Sequence, residues 1–426
     1  MSTHYSLTCL ETGVEISDES LPLGNPAATA PAFLRTSYTN RRFAPGPMDH
    51  GIYRFRDWLP IQRTLAGSAA PMTYQSSALA EHLGLSRLFI TFSGYWPERS
   101  GGMLTGTFKE CEAYSVCGRM PADYDKVLVV ASAGNTARAF TRVCSENRIP
   151  LVVVIPEENL PALWSIGPVN DNVRVIAAGG DSDYYDAIAL SGIVASLPGF
   201  AAEGGAKNVA RRDGMATTVL SAVDVIGEIP AHYFQAVGSG TGAIAAWEAN
   251  LRLIESGQYG DRKMRLHVSQ NAPFTPIHDS WQIRSRNLVD MDENDARERV
   301  SRIDAKVLAN RKPPYSLRGG LFDALSDTDG TTGVVDNDTA SAAASLFERL
   351  EGIDVAPAAA VAVAHLLAAV KNGLVGADEP IMLNITGGGY RRVREDLDVR
   401  ECAATRVIER DQFAPDSVAE IVGDLF

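Results

Sequence analysis

The chain has 426 residues, of which 45% are hydrophobic and 21% are charged. This composition is typical of a globular protein of two or three packed units, and it excludes disordered, collagen-like and coiled-coil classes. The 39 basic and 52 acidic residues give a net charge of −13. Such a surface repels a phosphate backbone, so nucleic acid is not expected as a partner.

The cysteines and the apolar runs indicate the cellular compartment of the protein. The five cysteines form no C-x-x-C pair, so we expect neither a zinc site nor a disulfide-rich fold, and no bound metal. The start of the chain lacks the basic and apolar stretches of a secretion signal. No window reaches the roughly 18 uninterrupted apolar residues of a membrane span. We therefore expect a cytoplasmic protein without membrane contact, and the sequence allows a homo-oligomer.

The amino-acid composition and pattern of the chain change near residue 66. Residues 1–66 are rich in Pro, Arg and turn formers and predict an irregular arm with short elements. From residue 71 onward, helical stretches alternate with short β-branched runs that predict strands. These predicted strands are 88–92, 126–132, 150–156, 173–178, 232–238, 265–270 and 380–386. Apolar strands separated by helix-length segments predict parallel sheets that are covered on both faces.

The alternation predicts an α/β fold of two open-sheet lobes, each a three-layer αβα structure, with a ligand cleft between them. We expect residues 110–231 to form a smaller, mobile lobe. This lobe would be inserted into a larger lobe made of residues 67–109 and 232–426. The charged and turn-rich stretch 283–350 predicts exposed loops and amphipathic helices.

Lys109 is the first candidate for chemistry, because it follows small residues and opens a predicted helix. A lysine that is desolvated there has a lowered pKa and can react with an aldehyde to form a Schiff base. Taken alone, a lysine is more often a solvated surface group.

The second candidate is the loop that follows the predicted strand 126–132. Backbone N–H groups of Ser132, Ala133, Gly134 and Thr136 would lie at a helix N-terminus and suit a substrate carboxylate. The Asn135 amide can meet a hydroxyl or phenolate oxygen. An ordinary turn with a capping residue is an equally good interpretation.

The third candidate is a glycine-rich turn between a predicted strand and a predicted helix, and it favours the binding of one phosphate. The turn consists of Gly238, Ser239, Gly240, Thr241 and Gly242. Its glycines let backbone N–H groups form an anion-binding nest. The spacing is G-x-G-x-G, and the acidic residue of a dinucleotide site is missing, so a pyrophosphate is disfavoured. A bare tight turn is the alternative.

Thr386 is the fourth candidate, a hydroxyl at the end of the predicted strand 380–386 that precedes three glycines. Such a residue can touch a flat ligand while the backbone stays clear of it. Together with Lys109, the amide loop and the glycine turn, it provides the groups needed to hold a phosphorylated aromatic aldehyde.

The order of Lys109, the SAGNT loop, the GSGTG turn and Thr386 resembles the pyridoxal-phosphate enzymes of the tryptophan-synthase β type (fold type II). It is most similar to their threonine-synthase branch. Further similar segments are 53–60, 70–92, 208–217 and 351–364, so the resemblance spans about residues 50–395.

The resemblance implies roles for each candidate and a cofactor in the cleft between the lobes. Lys109 would form the imine with pyridoxal 5′-phosphate, and Asn135 would hydrogen-bond the 3′ oxygen of the cofactor. Residues Gly238–Gly242 would hold its phosphate, and Thr386 would meet its pyridine nitrogen. A neutral hydroxyl at that nitrogen favours elimination and replacement over transamination.

Two departures from the threonine synthases narrow the expected activity. Residues 214–217 read GMAT where that branch usually has GQKT, and residues 107–113 read TFKECEA where it has SFKDRG. This combination is similar to the cysteate synthase family. The resemblance implies that sulfite replaces the phosphate of O-phospho-L-serine to give L-cysteate for coenzyme M, with Lys109 as general base.

Both expected substrates are small anions, so the cleft should be locally positive. Lys207, Arg211 and Arg212 are candidates for the phosphate or sulfite. His232 and His267 are interpreted as hydrogen-bonded structural residues. By resemblance, Glu351 could lie near the cofactor; the alternative is a carboxylate at a helix start.

Several other functions stay open at this point. Within the same chemistry, they are a threonine synthase acting on O-phosphohomoserine and a serine or threonine lyase (dehydratase). Outside it, they are a dinucleotide-dependent oxidoreductase that uses the glycine turn and a sensor that binds the ligand without catalysis.

Overall fold

The computed structural model describes residues 3–132 and 134–425, so Ala133, one of the predicted substrate contacts, lies outside the described residues. The helices are α1 (Ala78–Leu83), α2 (Lys109–Arg119), α3 (Asn135–Glu146), α4 (Tyr184–Ser196), α5 (Val209–Ile226), α6 (Thr241–Ser256), α7 (Pro276–Gln282), α8 (Glu293–Arg302), α9 (Leu321–Asp327), α10 (Asn337–Glu351), α11 (Pro357–Lys371), α12 (Tyr390–Asp396) and α13 (Pro415–Gly423).

The strands are β1 (Tyr5–Cys9), β2 (Glu15–Ile16), β3 (Leu34–Tyr38), β4 (Met72–Gln75), β5 (Leu88–Phe92), β6 (Tyr95–Trp96), β7 (Gly101–Gly102), β8 (Val127–Ala131), β9 (Leu151–Pro156), β10 (Trp164–Ile166), β11 (Val173–Ala178), β12 (Phe200–Ala202), β13 (His232–Ala236), β14 (Arg265–Asn271), β15 (Thr331–Val335), β16 (Ile381–Ile385), β17 (Val399–Glu401) and β18 (Arg406–Ile408).

The larger sheet has the strand order β15-β14-β13-β16-β5-β4. Its strands are parallel except for β4, which runs antiparallel to β5 at the edge. Successive side chains point to opposite faces of a strand. Tyr233 accordingly packs with α5, α6 and α9 on one face, and Phe234 packs with α10 and α11 on the other. Both faces are covered, which explains why these strands are apolar almost throughout.

The smaller sheet is fully parallel, with the order β12-β8-β9-β11-β18. Val153 faces the core formed with α2 and α3, whereas Val152 and Val154 face α4 and α13. Two three-layer αβα units are therefore present, which confirms the predicted fold class.

All seven predicted strands are present, but the structure differs from the predicted lobe boundaries at the C-terminus. Strand β18 pairs with β11 of the smaller sheet, and α13 packs on α4. The sequence, in contrast, predicts that all of residues 232–426 belong to the larger lobe. Strand β18 has only three residues, two of them exposed, so it carries no apolar run from which to predict its partner.

Two further regions contain the short elements and helices that the sequence predicts, together with one strand that it does not. The N-terminal arm contains the antiparallel sheet β2-β1-β3 and a 3₁₀ segment at Met48–Trp58. The stretch 283–350 contains α8, α9 and α10, as predicted, and also contributes the edge strand β15. Within the described residues, no helix is long and apolar enough to cross a membrane.

The two sheets place three chain segments near one cleft. The carboxyl end of β8 leads into α3, and the carboxyl end of β13 leads through the glycine-rich turn into α6. Strand β16 ends just before Thr386. Ligands of open α/β sheets bind outside the carboxyl ends of the strands, so this geometry defines the candidate site.

Candidate functional site

A cavity of about 750 Å³ opens between the two sheets, and most of the predicted site residues line it. From the smaller unit come the loop after β8 and the start of α4; from the larger come the start of α6 and residues 306–317. The predicted residues in its wall are Lys109, Ser132, Gly134, Asn135, Thr136, Lys207, Arg211, Ser239 and Thr241. The sequence therefore locates one shared cleft from segments that are far apart along the chain.

Lys109 is the first residue of α2, and its side chain is 19% exposed at the cavity wall. Its amino group lies 3.2 Å from Glu112 Oε2 and 5.0 Å from the centre of the Phe108 ring. Burial lowers the pKa of Lys109, and Glu112 partly opposes this shift. A lysine with a lowered pKa is more often unprotonated, which is the form that attacks a carbonyl carbon.

Glu112 is a site residue that the sequence analysis missed. Its carboxylate is fully buried. One oxygen accepts a hydrogen bond from Thr136 Oγ1 at 2.9 Å and lies 3.4 Å from Arg211 Nη1. Glu112 follows Lys109 by three positions, a spacing that places two side chains on the same face of a helix. This spacing was the available signal.

Asn135 is held in one orientation by a second residue that the sequence analysis missed. Arg138 donates from Nη2 to Asn135 Oδ1 at 2.8 Å. The same guanidinium stacks on Trp164 at 4.3 Å and lies 5.3 Å from the ring centre of Tyr390. Because the amide oxygen is engaged, the amide N–H₂ group is the part of Asn135 that can donate to a ligand oxygen.

The glycine-rich turn forms a cradle whose shape requires glycine at two points. A Cβ on Gly238 would lie 2.9 Å from the Leu308 backbone, so a side chain would collide with the chain beside it. Gly240 has a φ of +75°, which other residues adopt only with strain. Ser239 and Thr241 face the cavity, and their hydroxyls are 2.8 Å apart. Gly242 is buried behind them, against Gln235.

Thr386 lies beside the segment that carries Lys109, although it is not part of the cavity wall. Its carbonyl oxygen accepts hydrogen bonds from the Phe108 N–H at 3.0 Å and from Thr107 Oγ1 at 3.3 Å. The end of β16 is thereby fixed to the start of α2. The predicted contact of its hydroxyl with the cofactor stays a prediction.

The three predicted basic residues have different environments. Lys207 is exposed at the cavity wall. Arg211 also lines the cavity, and it donates from Nε to Glu203 Oε1 at 2.8 Å. The prediction that Arg212 contacts a ligand is wrong. Its side chain is buried outside the cavity wall and forms a 2.9 Å ion pair with Glu248. Neighbouring residues on a helix point about 100° apart, so both cannot face the cleft.

The residues set aside in the sequence analysis lie away from the cavity. His232 Nδ1 is 2.9 Å from His267 Nε2, and His267 also contacts Thr331 Oγ1 at 2.7 Å. Glu351 accepts hydrogen bonds from Ser76 Oγ at 2.6 Å and from the Leu79 N–H at 3.2 Å. It therefore binds the start of α1, which is the simpler of the two interpretations given for it. Among the described residues, no cluster of three or more His, Cys, Asp or Glu could hold a metal ion.

The charge of the cavity wall differs from that of the whole chain. The charged residues in the wall are Lys109, Glu203, Lys207, Arg211, Lys306 and Lys312. Besides Lys109, four cations thus face one carboxylate, whereas the chain as a whole has a net charge of −13. A concave surface with excess positive charge attracts small anions.

These features fit pyridoxal phosphate. The amine of Lys109 can react with its aldehyde, and the Asn135 amide can donate to its ring oxygen. The glycine cradle lies at the N-terminus of the long helix α6, where backbone N–H groups favour a phosphate.

Comparison with known proteins identifies the class. Residues 75–387 match the family described as pyridoxal-phosphate dependent enzyme. The chain belongs to this family and is an enzyme that depends on pyridoxal phosphate.

Curated relatives narrow the assignment within that class. The chain is 47% identical to the cysteate synthase of Methanosarcina acetivorans over 395 residues, which cover 92% of this chain and 94% of the relative. It is 49% identical to the cysteate synthase of Methanoregula boonei over 397 residues, which cover 93% and 92%. The chain therefore belongs to the cysteate synthase family, as the sequence motifs predicted.

Solved structures share the fold. Maize serine racemase matches with a TM-score of 0.57 at 16% identity, over 76% of this chain and 93% of its own. The processed form of threonine deaminase isoform 2 from Solanum lycopersicum matches with a TM-score of 0.56 at 16% identity, over 87% and 97%. At these identities the likeness concerns the fold alone.

Proposed function

We propose that the chain catalyses the replacement of phosphate in O-phospho-L-serine by sulfite, which yields L-cysteate and phosphate for coenzyme M biosynthesis. The observation that carries this proposal is the charge of the cleft around Lys109, where four further cations face one carboxylate. Both substrates and both products are anions, so a positive cleft in an acidic protein suits them. Membership of the cysteate synthase family supports the same activity.

The residues of the cleft would divide the work as follows. Pyridoxal phosphate, when bound, supplies an electron sink for the carbon next to the substrate amino group. Lys109 would take the α-proton of the substrate and later return it. Asn135 would orient the cofactor ring through its amide N–H₂ group. Residues Gly238–Gly242 would bind the phosphate group of the cofactor. Thr386 would present a neutral hydroxyl to the ring nitrogen.

The anionic groups of the substrates would bind at two neighbouring places on the same side of the cleft, because Thr136 and Arg211 both contact Glu112 Oε1. The backbone N–H groups around Ser132, Gly134 and Thr136 would hold the substrate carboxylate at the start of α3. Lys207 and Arg211 would bind the leaving phosphate or the incoming sulfite. Arg211 is suited to this because Glu203 holds its Nε at 2.8 Å and thereby fixes the guanidinium.

We also propose a cytoplasmic location, supported by five free cysteines, all of them buried. For the lobes, we propose that the smaller one moves against the larger to admit substrate.

The test is to incubate the purified protein with pyridoxal phosphate and O-phospho-L-serine, with and without sulfite. L-Cysteate and phosphate should form in equal amounts only when sulfite is present. Pyruvate formed at a rate that sulfite does not change would instead indicate a lyase. Threonine formed from O-phosphohomoserine would indicate a threonine synthase, and either result would overturn the proposal.

A further inference from the structure

Glu112 is a buried carboxylate that the proposed chemistry does not use, yet it touches the residue on which that chemistry depends. It lies 3.2 Å from the Lys109 amino group, and its side chain is fully buried. A buried charge without partners would be strongly destabilising. Thr136 Oγ1 at 2.9 Å and Arg211 Nη1 at 3.4 Å are the further partners that hold it.

The contacts leave Glu112 little freedom. Its two oxygens are divided between different partners: Oε2 faces Lys109, while Oε1 faces Thr136 and Arg211. These partners come from α3 and α5, whereas Lys109 and Glu112 share the first turn of α2. The carboxylate is thereby fixed from three helices, and a fixed carboxylate defines the position of the amine that it contacts.

We propose that Glu112 is a positioning residue that keeps the Lys109 amino group at the cavity wall and stabilises its ammonium form after that amine has taken a proton. This inference rests on the proposed role of Lys109 as general base. A base that becomes an ammonium beside Arg211 meets repulsion from that cation, and a carboxylate next to the ammonium offsets this repulsion.

The charged and titratable groups near this pair come from several elements. Arg211 on α5 lowers the pKa of Lys109, whereas Glu112 and Glu203 raise it, and burial is the largest cause of its net decrease. Tyr184, at the start of α4, is half-buried in the cavity wall near Arg211 and Glu203, and desolvation raises its pKa. Glu112 is the carboxylate of this group that is hydrogen-bonded to Lys109.

The test measures the pKa of Lys109 directly in the full-length protein before pyridoxal phosphate is added. The rate of acetylation of Lys109 by trace acetic anhydride is followed by mass spectrometry as a function of pH. Glu112→Gln should lower the midpoint by about 1–3 pH units, which is the usual effect of an adjacent opposite charge. In the enzyme with its cofactor, the acidic limb of the kcat profile should move in the same direction.

Two variants show whether the effect is specific. Glu112→Asp keeps the charge but withdraws it by one methylene group, so its midpoint should lie between those of Glu112→Gln and the unchanged protein. Glu110→Gln is the matched control: Glu110 is buried on the same helix but pairs with Arg142 at 3.0 Å. It should lower the melting temperature and leave the Lys109 midpoint unchanged.

An unchanged midpoint in Glu112→Gln, or an equal shift in Glu110→Gln, would overturn the inference. If Glu112→Gln does not fold, an unshifted Glu112→Asp midpoint does the same. Borohydride reduction separates this failure from that of the proposed function. A cofactor fixed on Lys109 with an unshifted midpoint refutes the role of Glu112 alone, whereas no cofactor on Lys109 refutes the proposed function itself.

Discussion

Arg211 and Arg212 are neighbours on α5, and they belong to two buried charge clusters with different properties. Arg211 joins the cleft cluster, which we define as Lys109, Glu112, Glu203 and Arg211. Arg212 points away from the cleft and pairs with Glu248, where both side chains are 1% exposed. The first cluster borders a cavity of about 750 Å³; the second is enclosed by protein.

The enclosed cluster is defined as Arg212, Glu248, Arg252, Asp213 and Arg35, and it ties the N-terminal arm to α5 and α6. Arg252 lies 2.6 Å from Asp213, and Arg35 lies 3.3 Å from Glu248. Asp213 also accepts hydrogen bonds from Thr36 and Tyr38 of β3. Its three arginines and two carboxylates pair with one another away from the cavity, which indicates a structural role. The cleft cluster lies in a cavity wall with excess positive charge, which indicates a site for anions.

The largest expected effect comes from removing the reactive amine of the cleft cluster. Lys109→Ala should lower the rate of L-cysteate formation by at least about 10³-fold, because a general base contributes about 10²–10⁴-fold and covalent attachment is lost as well. The measurement is product formation together with the visible absorbance of the cofactor. Lys126→Ala, an exposed lysine outside the cavity, is the control and should behave as the unchanged protein. Comparable activity in Lys109→Ala would remove the basis for calling this cluster functional.

Removing Arg212 from the enclosed cluster should lower the stability of the protein rather than its activity. Arg212→Met leaves Glu248 buried with fewer partners, and breaking one side of a buried ion pair costs about 3–5 kcal/mol. The free energy of unfolding in urea measures this loss. The folded fraction should keep its KM for O-phospho-L-serine. A large rise in KM without a loss of stability would show that Arg212 serves the ligand after all.

The enclosed cluster should also set the acid limit of the fold. Burial by itself would raise the pKa of Glu248, but Arg212, Arg35 and Arg252 together hold it below its ordinary value. A carboxylate with a lowered pKa in the folded state stabilises the protein above the unfolded pKa of about 4.5. That stabilisation is lost as the pH falls through the folded value. The free energy of unfolding, measured in urea, should therefore fall below about pH 4.5. Glu248→Gln should make this free energy depend less on pH. An identical pH dependence in both proteins would contradict it.

The two clusters also show how far the sequence alone can lead. The SAGNT loop and the GSGTG turn locate the cleft because each follows an apolar strand, and the carboxyl ends of parallel strands meet at one edge of a sheet. The adjacent Arg211 and Arg212 look equivalent in the sequence. Which of them faces the cleft depends on the rotation of α5 against its neighbours, and this is set by tertiary packing rather than by local pattern.

The same limit explains what was missed elsewhere. Glu112 could have been paired with Lys109 from its i,i+3 spacing, but not with Thr136 or Arg211, which come from other helices. Strand β18 could not be assigned to a sheet, because it is held by pairing with β11 and by the cover of α13 rather than by an apolar run of its own. Periodicity predicts elements, whereas contacts between distant elements require the fold.

Removing Arg211 from the cleft cluster should affect activity less than removing Lys109. Arg211→Met should raise KM for O-phospho-L-serine by about 10–100-fold, because a hydrogen bond to a charged group contributes about 1.5–3 kcal/mol. Initial rates at varied phosphoserine and at varied sulfite show which anion uses Arg211. An unchanged KM for both substrates would assign Arg211 to the support of Glu112 and Glu203 alone.

The smallest expected effect concerns a third set of charges, at the rim of the cleft. Asp183, which caps α4 of the smaller unit, lies 2.7 Å from Arg311 and 3.5 Å from Arg297 in the segment between β14 and β15. Lys312 donates to Tyr185 Oη at 3.0 Å beside them. These contacts join the two units across the opening of the cavity. Partly exposed pairs of this kind contribute about 0.2–1 kcal/mol, and salt screens them.

Asp183→Asn tests this rim without disturbing the helix. Asp183 accepts hydrogen bonds from the N–H groups of Tyr185 and Asp186, and asparagine caps a helix about equally well. The substitution should therefore raise KM at low salt by only about 1.5–5-fold. High salt should remove the difference, because it weakens the rim contacts of the unchanged protein to the same extent. Asp171→Asn, which affects an exposed pair with Arg148, should leave KM unchanged. If Asp183→Asn lowered KM, or differed as much at high salt as at low salt, the rim charges would not hold the cleft closed.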